Sequence, residues 1–335
     1  MLTLKTIHAH LDALAKPQSS LGRLERIAAR LAFTQQTLAP QTRPRRIVLF
    51  AGDHGVVNSG VSAWPSAVTT AMMATIAGGR ASSNALAYAA NCDLRLIDMG
   101  SITPLPQSHS AFMAERRIAA GTANLAHTSA MTIAQFDAAW EVGVAEAQAS
   151  IAQGYRILLA GEMGIGNTTS AACLTMLLTG IDATTATGKG AGADDAMRTQ
   201  KQAIVGSAVA REQDKLGSDP KAAIAALCGF EIAAMAGFYA AAAQSGATIL
   251  LDGYVTTAAA LITEWLAPGS AQQMIAAHLS AEPGHRAALN ALGLEPMLEW
   301  EMRLGEGTGA LTALPLLDAA AALLSDVATL AEVIG

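Results

Sequence analysis

Four short runs rich in Ile, Leu and Val constrain this chain more than anything else in it: Arg46 to Phe50, Leu94 to Ile97, Arg156 to Leu159 and Thr248 to Leu251. Each leads into a polar or glycine-bearing turn, and Ala-rich stretches of helical length lie between them. Runs this short and mainly apolar suit strands covered on both faces, and their alternation with helices makes the strands parallel. The pattern predicts an α/β fold: a doubly wound, mainly parallel sheet with helices on both faces. Hydrophobic residues are 52% of the 335 but aromatics only 4%. Helices in such a core must approach one another through small side chains.

The two ends read differently. Up to about Ala39, Leu14, Leu21, Leu24, Ile27 and Leu31 recur at helix-compatible spacing, and Pro40 and Pro44 close the segment. A second apolar helical stretch runs from Ala310 to Leu324. The expected organisation is an α/β domain over residues 44–300, with residues 1–43 and 301–335 forming a small helical domain packed on it.

A formal net charge of −6 argues against a nucleic-acid partner, because phosphate backbones are met by concentrated basic faces. The longest apolar stretches, such as Ile232 to Ala243, fall short of the roughly 20 residues of a membrane helix, so no membrane partner is expected. Cys92, Cys173 and Cys228 are widely spaced and form no CxxC pair, which fits reduced thiols. With Lys5, His8, His10 and Asp12 near the start and no signal-peptide pattern, the expected location is cytoplasmic. Seven histidines without an HExxH motif give no ground for a metal, and no cofactor is expected.

Ligands of open parallel sheets bind beyond the carboxyl ends of the strands, so the turns after the runs are candidate sites. The third run leads into Gly161-Glu162-Met163-Gly164-Ile165-Gly166-Asn167-Thr168-Thr169. Gly161, Gly164 and Gly166 permit a tight loop, Asn167, Thr168 and Thr169 can cap a following helix, and the helix N-terminus suits a phosphate. An ordinary glycine turn with a good cap is the alternative. The second cluster, Gly188 to Gly192 with Gly190 at its centre, follows no strand-like run; it reads as a surface loop unless Lys201 downstream supplies charge to a phosphate. Asp53-His54, after the first run, reads as an acid/base pair, as metal ligands or, more often for a lone pair, as a hydrogen-bonded corner. Glu306 stands between Gly305 and Gly307, where backbone can come close to a ligand. Alternatively, Gly305 ends one helix and Glu306 complements the dipole of the next.

Taken in order, Lys16-Pro17 with Ser20 to Glu25, Gly52-Asp53-His54-Gly55-Val56 with Gly60-Val61, Gly161 to Thr169, Leu251-Asp252-Gly253, Ser280-Ala281-Glu282 and Met302 to Gly307 resemble the nicotinate-nucleotide:dimethylbenzimidazole phosphoribosyltransferase family. The resemblance covers nearly the whole chain. It implies transfer of phosphoribose from nicotinate mononucleotide to 5,6-dimethylbenzimidazole or a related aromatic base, giving α-ribazole 5′-phosphate and nicotinate for the lower ligand of cobalamin. It also implies a homodimer, with Glu306 as catalytic base and Glu162 as a second active-site carboxylate. Gly190, Lys201 and Ser280 match positions near the ribose phosphate. A non-catalytic nucleotide-binding or sensor homologue is the alternative, and two retained carboxylates weigh against it. Two departures stand out. Ser19 replaces a usual glycine, and Trp64 and Met72 replace a small polar residue and a glutamine near the base, which opens the identity of the accepted base.

Overall fold

The computed structural model describes residues 1–105, 112–190, 192 and 194–335. The chain begins with α1 (Leu4–Ala13), α2 (Arg23–Gln35), β1 (Arg45–Gly52), α3 (Ala67–Ala77), α4 (Ser82–Ala89), β2 (Asp93–Gly100), β3 (Met113–Glu115) and α5 (Ile133–Ala152). It continues through β4 (Ile157–Met163), α6 (Asn167–Thr179), α7 (Ala183–Ala186), α8 (Asp195–Glu212), α9 (Pro220–Leu227) and α10 (Phe230–Gln244). β5 (Thr248–Leu251), α11 (Tyr254–Leu266), β6 (Met274–Ala276), α12 (His285–Ala291), α13 (Thr308–Ser325) and α14 (Leu330–Ile334) complete it.

The strands form one parallel sheet in the order β3-β2-β1-β4-β5-β6. β1, β2, β4 and β5 are the four predicted runs. β3 and β6 went unpredicted because three residues are too few to show a period. Strand order reverses between β1 and β4, where Leu49 pairs with Leu96 on one side and Gly161 on the other. Along β1, Ile47, Leu49 and Ala51 face a layer that includes α3, α4 and α13, while Val48 and Phe50 face α5, α6, α10 and α11. Both faces are therefore covered, which is why β1 is buried throughout.

The scarcity of aromatics has its expected counterpart where α5 crosses α10. A Cβ added at Gly143 would lie 1.8 Å from the Ala234 carbonyl oxygen, and one at Gly237 would lie 2.2 Å from that of Trp140. By length and apolarity alone α13 could cross a membrane. Instead, Ala310, Leu311, Leu314 and Leu317 bury against the sheet, and Ala320, Leu323 and Leu324 pack with Ile7, Leu11, Ala28 and Ala32 of α1 and α2. One helix thus joins the sheet to the N-terminal pair.

The N-terminal region differs from the continuous pattern read in the sequence. It is two helices, and Leu14 and Leu21 lie in the connection between them. Pro17 has no N–H to continue a helix, and Ser19 and Gly22 adopt left-handed backbone, φ +58° and +53°. Ser19 therefore occupies a conformation that suits the glycine it replaces. Ser19→Gly is expected to raise unfolding stability by about 0.5–1 kcal/mol, the relieved left-handed strain exceeding the added chain entropy. Urea unfolding checks this, and a lower midpoint would refute it.

Candidate active site

The segments after β1, β4, β5 and β6 and the turn before α13 surround a cavity of about 510 Å³. It lies beside the reversal of strand order, the ligand position of doubly wound sheets, and its size is that of a small-molecule site (~300–1,000 Å³).

Glu306 reaches this cavity from a turn in which three successive residues are left-handed: Gly305 at φ +91°, Glu306 at +56° and Gly307 at +70°. No helix ends at Gly305, so the helix-terminus alternative for that glycine does not hold. The glycines are fixed by close approach. A Cβ at Gly305 would lie 2.2 Å from Glu162 Oε1, and one at Gly307 would lie 2.1 Å from Ile47 Cδ1. Glu306 tolerates its backbone at a cost of about 1–2 kcal/mol, strain of a kind that persists where surrounding contacts over-determine it. Its N–H donates to the Glu162 carbonyl at 3.3 Å. Its side chain is held by Ser83, whose hydroxyl donates to Oε2 at 3.0 Å and whose N–H lies at 3.4 Å.

That contact belongs to a pattern. Ala81 precedes α4 and Gly307 precedes α13, and neither has a side-chain acceptor for the free amides of the first turn. Carboxylates from elsewhere serve instead. Glu306 receives Ser83 of α4, and Asp252, from the end of β5, accepts the Ala310 N–H of α13 at 2.9 Å.

Glu162, next to last in β4, accepts a hydrogen bond from Asn167 Nδ2. Burial above all, with the negative charges of Asp252, Glu231 and Glu306, pushes its carboxyl up to about 8. The folded protein therefore keeps a proton that the unfolded chain, with an ordinary value of 4.5, releases. Stability tied to this group is complete below about pH 4.5 and is lost as pH rises towards 8. Glu162→Gln should abolish that loss, gaining on the order of 4 kcal/mol over the parent between those limits. Parallel melting curves for the two proteins across this range would show Glu162 ionised in the fold.

Asn167 is thus occupied by Glu162 and does not cap α6. The N-cap is Gly166, without a side-chain hydrogen bond, which corrects the expected cap. Thr168 is engaged by Lys201, whose Nζ donates to its Oγ1 at 2.7 Å. Burial lowers the Lys201 ammonium to about 8, against the opposing pull of Glu282. Glu282 Oε1 accepts the Gly190 N–H at 3.0 Å, and Arg303 donates to the Gly190 carbonyl at 3.3 Å. Ser280 is fixed through its N–H, which donates to His285 Nδ1 at 2.9 Å. Burial drives that imidazole down to about 3, so it is neutral and its Nε2–H donates to Thr257 Oγ1 at 2.9 Å.

Glu306, Glu162, Gly164, Gly166, Asn167, Thr168, Gly190, Ser280, Trp64 and Met72 all line the cavity. Two expected residues stand behind its wall. Gly161 packs its Cα against the Glu306-Gly307 backbone, and Lys201 lies beneath Thr168. Ala191 of the second glycine cluster is outside the described residues. Asp53 and His54 form a buried corner: Asp53 accepts the Ile102 N–H at 2.8 Å, and His54 Nε2 lies 2.6 Å from Glu231 Oε1. Among the described residues no group of three or more His, Cys, Asp or Glu is arranged to hold a metal. The sequence reading did not single out Ser83, Asp252, His278, Glu282 or Arg303 as site residues. Asp252, Glu282 and Arg303 stood inside motifs already noted. Ser83 and His278 had no local signal.

A family model described as a phosphoribosyltransferase matches residues 3–333. A nicotinate-nucleotide–dimethylbenzimidazole phosphoribosyltransferase of Mycobacterium marinum is 46% identical over 325 residues, 97% of this chain and 90% of the relative. Its counterpart from Thermus thermophilus is 42% identical over 314 residues, 94% and 92% of the two chains. The crystal structure of CobT from Thermus thermophilus matches at a TM-score of 0.93 and 41% identity, covering 98% of each chain.

Proposed function

The chain belongs to the nicotinate-nucleotide–dimethylbenzimidazole phosphoribosyltransferase family, and we propose that Glu306 is the base with which it moves phosphoribose from nicotinate mononucleotide to an aromatic base. The products are α-ribazole 5′-phosphate and nicotinate when that base is 5,6-dimethylbenzimidazole, and the pathway is assembly of the cobalamin nucleotide loop. The observation that carries the reading is the meeting of Glu306 and Glu162 in one cavity, beside a glycine loop and an apolar sector.

Nicotinate bonded to ribose is a pyridinium, so it departs with the bonding pair and needs no proton. The incoming benzimidazole must lose its ring N–H as its other nitrogen bonds to the anomeric carbon. Glu306 accepts that proton. Attack opposite the leaving group turns a β-nucleotide into an α-product. Glu162 is assigned to the positive charge developing on the ribosyl carbon, which opposes the effect of burial on its carboxyl. Thr168, Gly190 and Ser280 are assigned to the phosphate, with Lys201 acting through Thr168. Much of the rate comes from holding two flat rings on opposite sides of one carbon.

Trp64, Met72, Val68 and Ile165 supply the apolar wall expected to receive the base. Release of nicotinate from nicotinate mononucleotide, measured with benzimidazoles, purines and phenols as acceptors, tests the activity and ranks the bases. No release with any acceptor would leave a nucleotide-binding protein. The domain division at residues 44 and 300 and a homodimer belong to the same proposal, the latter checked by light scattering. A cytoplasmic location is supported by three buried free cysteines.

A further inference from the structure

Helix α4 starts after Ala81, which has no side chain to receive the amides of its first turn. The acceptor comes from a residue 223 positions away, Oε2 of Glu306, which takes both the hydroxyl and the N–H of Ser83. Ser83 is fully buried and does not line the cavity, so it meets no substrate. Glu306 does line it, and among the described residues Oε2 alone of its two carboxylate oxygens has a hydrogen-bond partner. The terminal torsion of a glutamate is broad and roughly two-fold, so an unanchored carboxylate presents its oxygens in many directions. Anchoring one oxygen fixes the line along which the other points.

We infer that Ser83 is a positioning residue of the reaction: it holds Oε2 of Glu306 against α4 so that Oε1 meets the ring N–H of the incoming base. This rests on Glu306 being the base. In the step itself the proton passes to Oε1 and its electron pair stays in the ring. The second ring nitrogen forms the new bond to the anomeric carbon, and the old carbon–nitrogen pair leaves with nicotinate. Ser83 changes no charge and no bond.

Ser83→Ala tests the inference, since alanine retains the helix and the amide while removing the stronger of the two bonds. The expected result is a fall in kcat of about tenfold or more, with KM for nicotinate mononucleotide unchanged, because the base is misaimed and the nucleotide contacts are untouched. In a Glu306→Gln background the same change should cost nothing further, since there is no base left to aim. A parental kcat in Ser83→Ala, or an equal loss in both backgrounds, would overturn the inference. Parental turnover in Glu306→Gln alone would instead remove the assignment of the base, which keeps the two failures apart.

Discussion

Glu306→Gln is expected to lower kcat by about 10²–10⁴-fold, the usual worth of a positioned general base, while binding of nicotinate mononucleotide persists. The substitution is nearly isosteric. Its amide oxygen can still accept from Ser83 Oγ, which lies 3.0 Å from Oε2 in the parent, and the left-handed turn from Gly305 to Gly307 is unaltered. What disappears is the capacity to take a proton from the incoming ring. Single-turnover release of nicotinate reads the chemical step, and calorimetry with the nucleotide reads binding. Turnover near the parental value would transfer the base to another group, and Glu162, whose carbonyl accepts the Glu306 N–H, shares its cavity.

Gly161→Ala should lower kcat by about 100-fold without changing a group that touches substrate. The added Cβ would lie 2.3 Å from Leu49 Cδ2, 2.7 Å from the Gly307 nitrogen and 2.9 Å from the Glu306 carbonyl carbon. The leucine can move aside. The backbone of the turn cannot do so without carrying Glu306 with it, and displacing a catalytic group by about 1 Å is enough for a loss of this size. Overpacking should also cost about 1–3 kcal/mol of stability. Because Gly161 lies behind the cavity wall, KM for the nucleotide should hold. An unchanged kcat would mean that the turn slides along β4 without moving the carboxylate.

These two residues show how far the sequence could be read. Glu306 could be singled out because a carboxylate between glycines gains no packing from its neighbours, and because its motif is collinear with a family pattern. Gly161 was legible as a necessary glycine but for the wrong neighbour. A sequence reading gives Gly161 to a tight loop, whereas it lies within β4 and admits the backbone of a turn 145 residues away. The same limit applied to Asn167, a good cap by local chemistry that spends its amide on Glu162. The leucine spacing of the helical N-terminal segment did not show the break between α1 and α2, because helix periodicity persists across a connection that Pro17 and two left-handed residues interrupt.

By itself the sequence determined the parallel sheet, the helical layers on its faces and the turns that line the cavity. These follow from local apolar runs and from spacing along the chain, and both are properties of neighbours. The tertiary structure decided which oxygen of Glu306 is anchored, how far the Glu162 carboxyl is buried and raised, and that the Lys201 ammonium is held against Thr168. Each of those depends on burial or on a hydrogen bond between elements far apart in the chain. Such contacts leave no local trace, because Ala81 and Gly307 reveal only that a cap is missing and not which carboxylate supplies it.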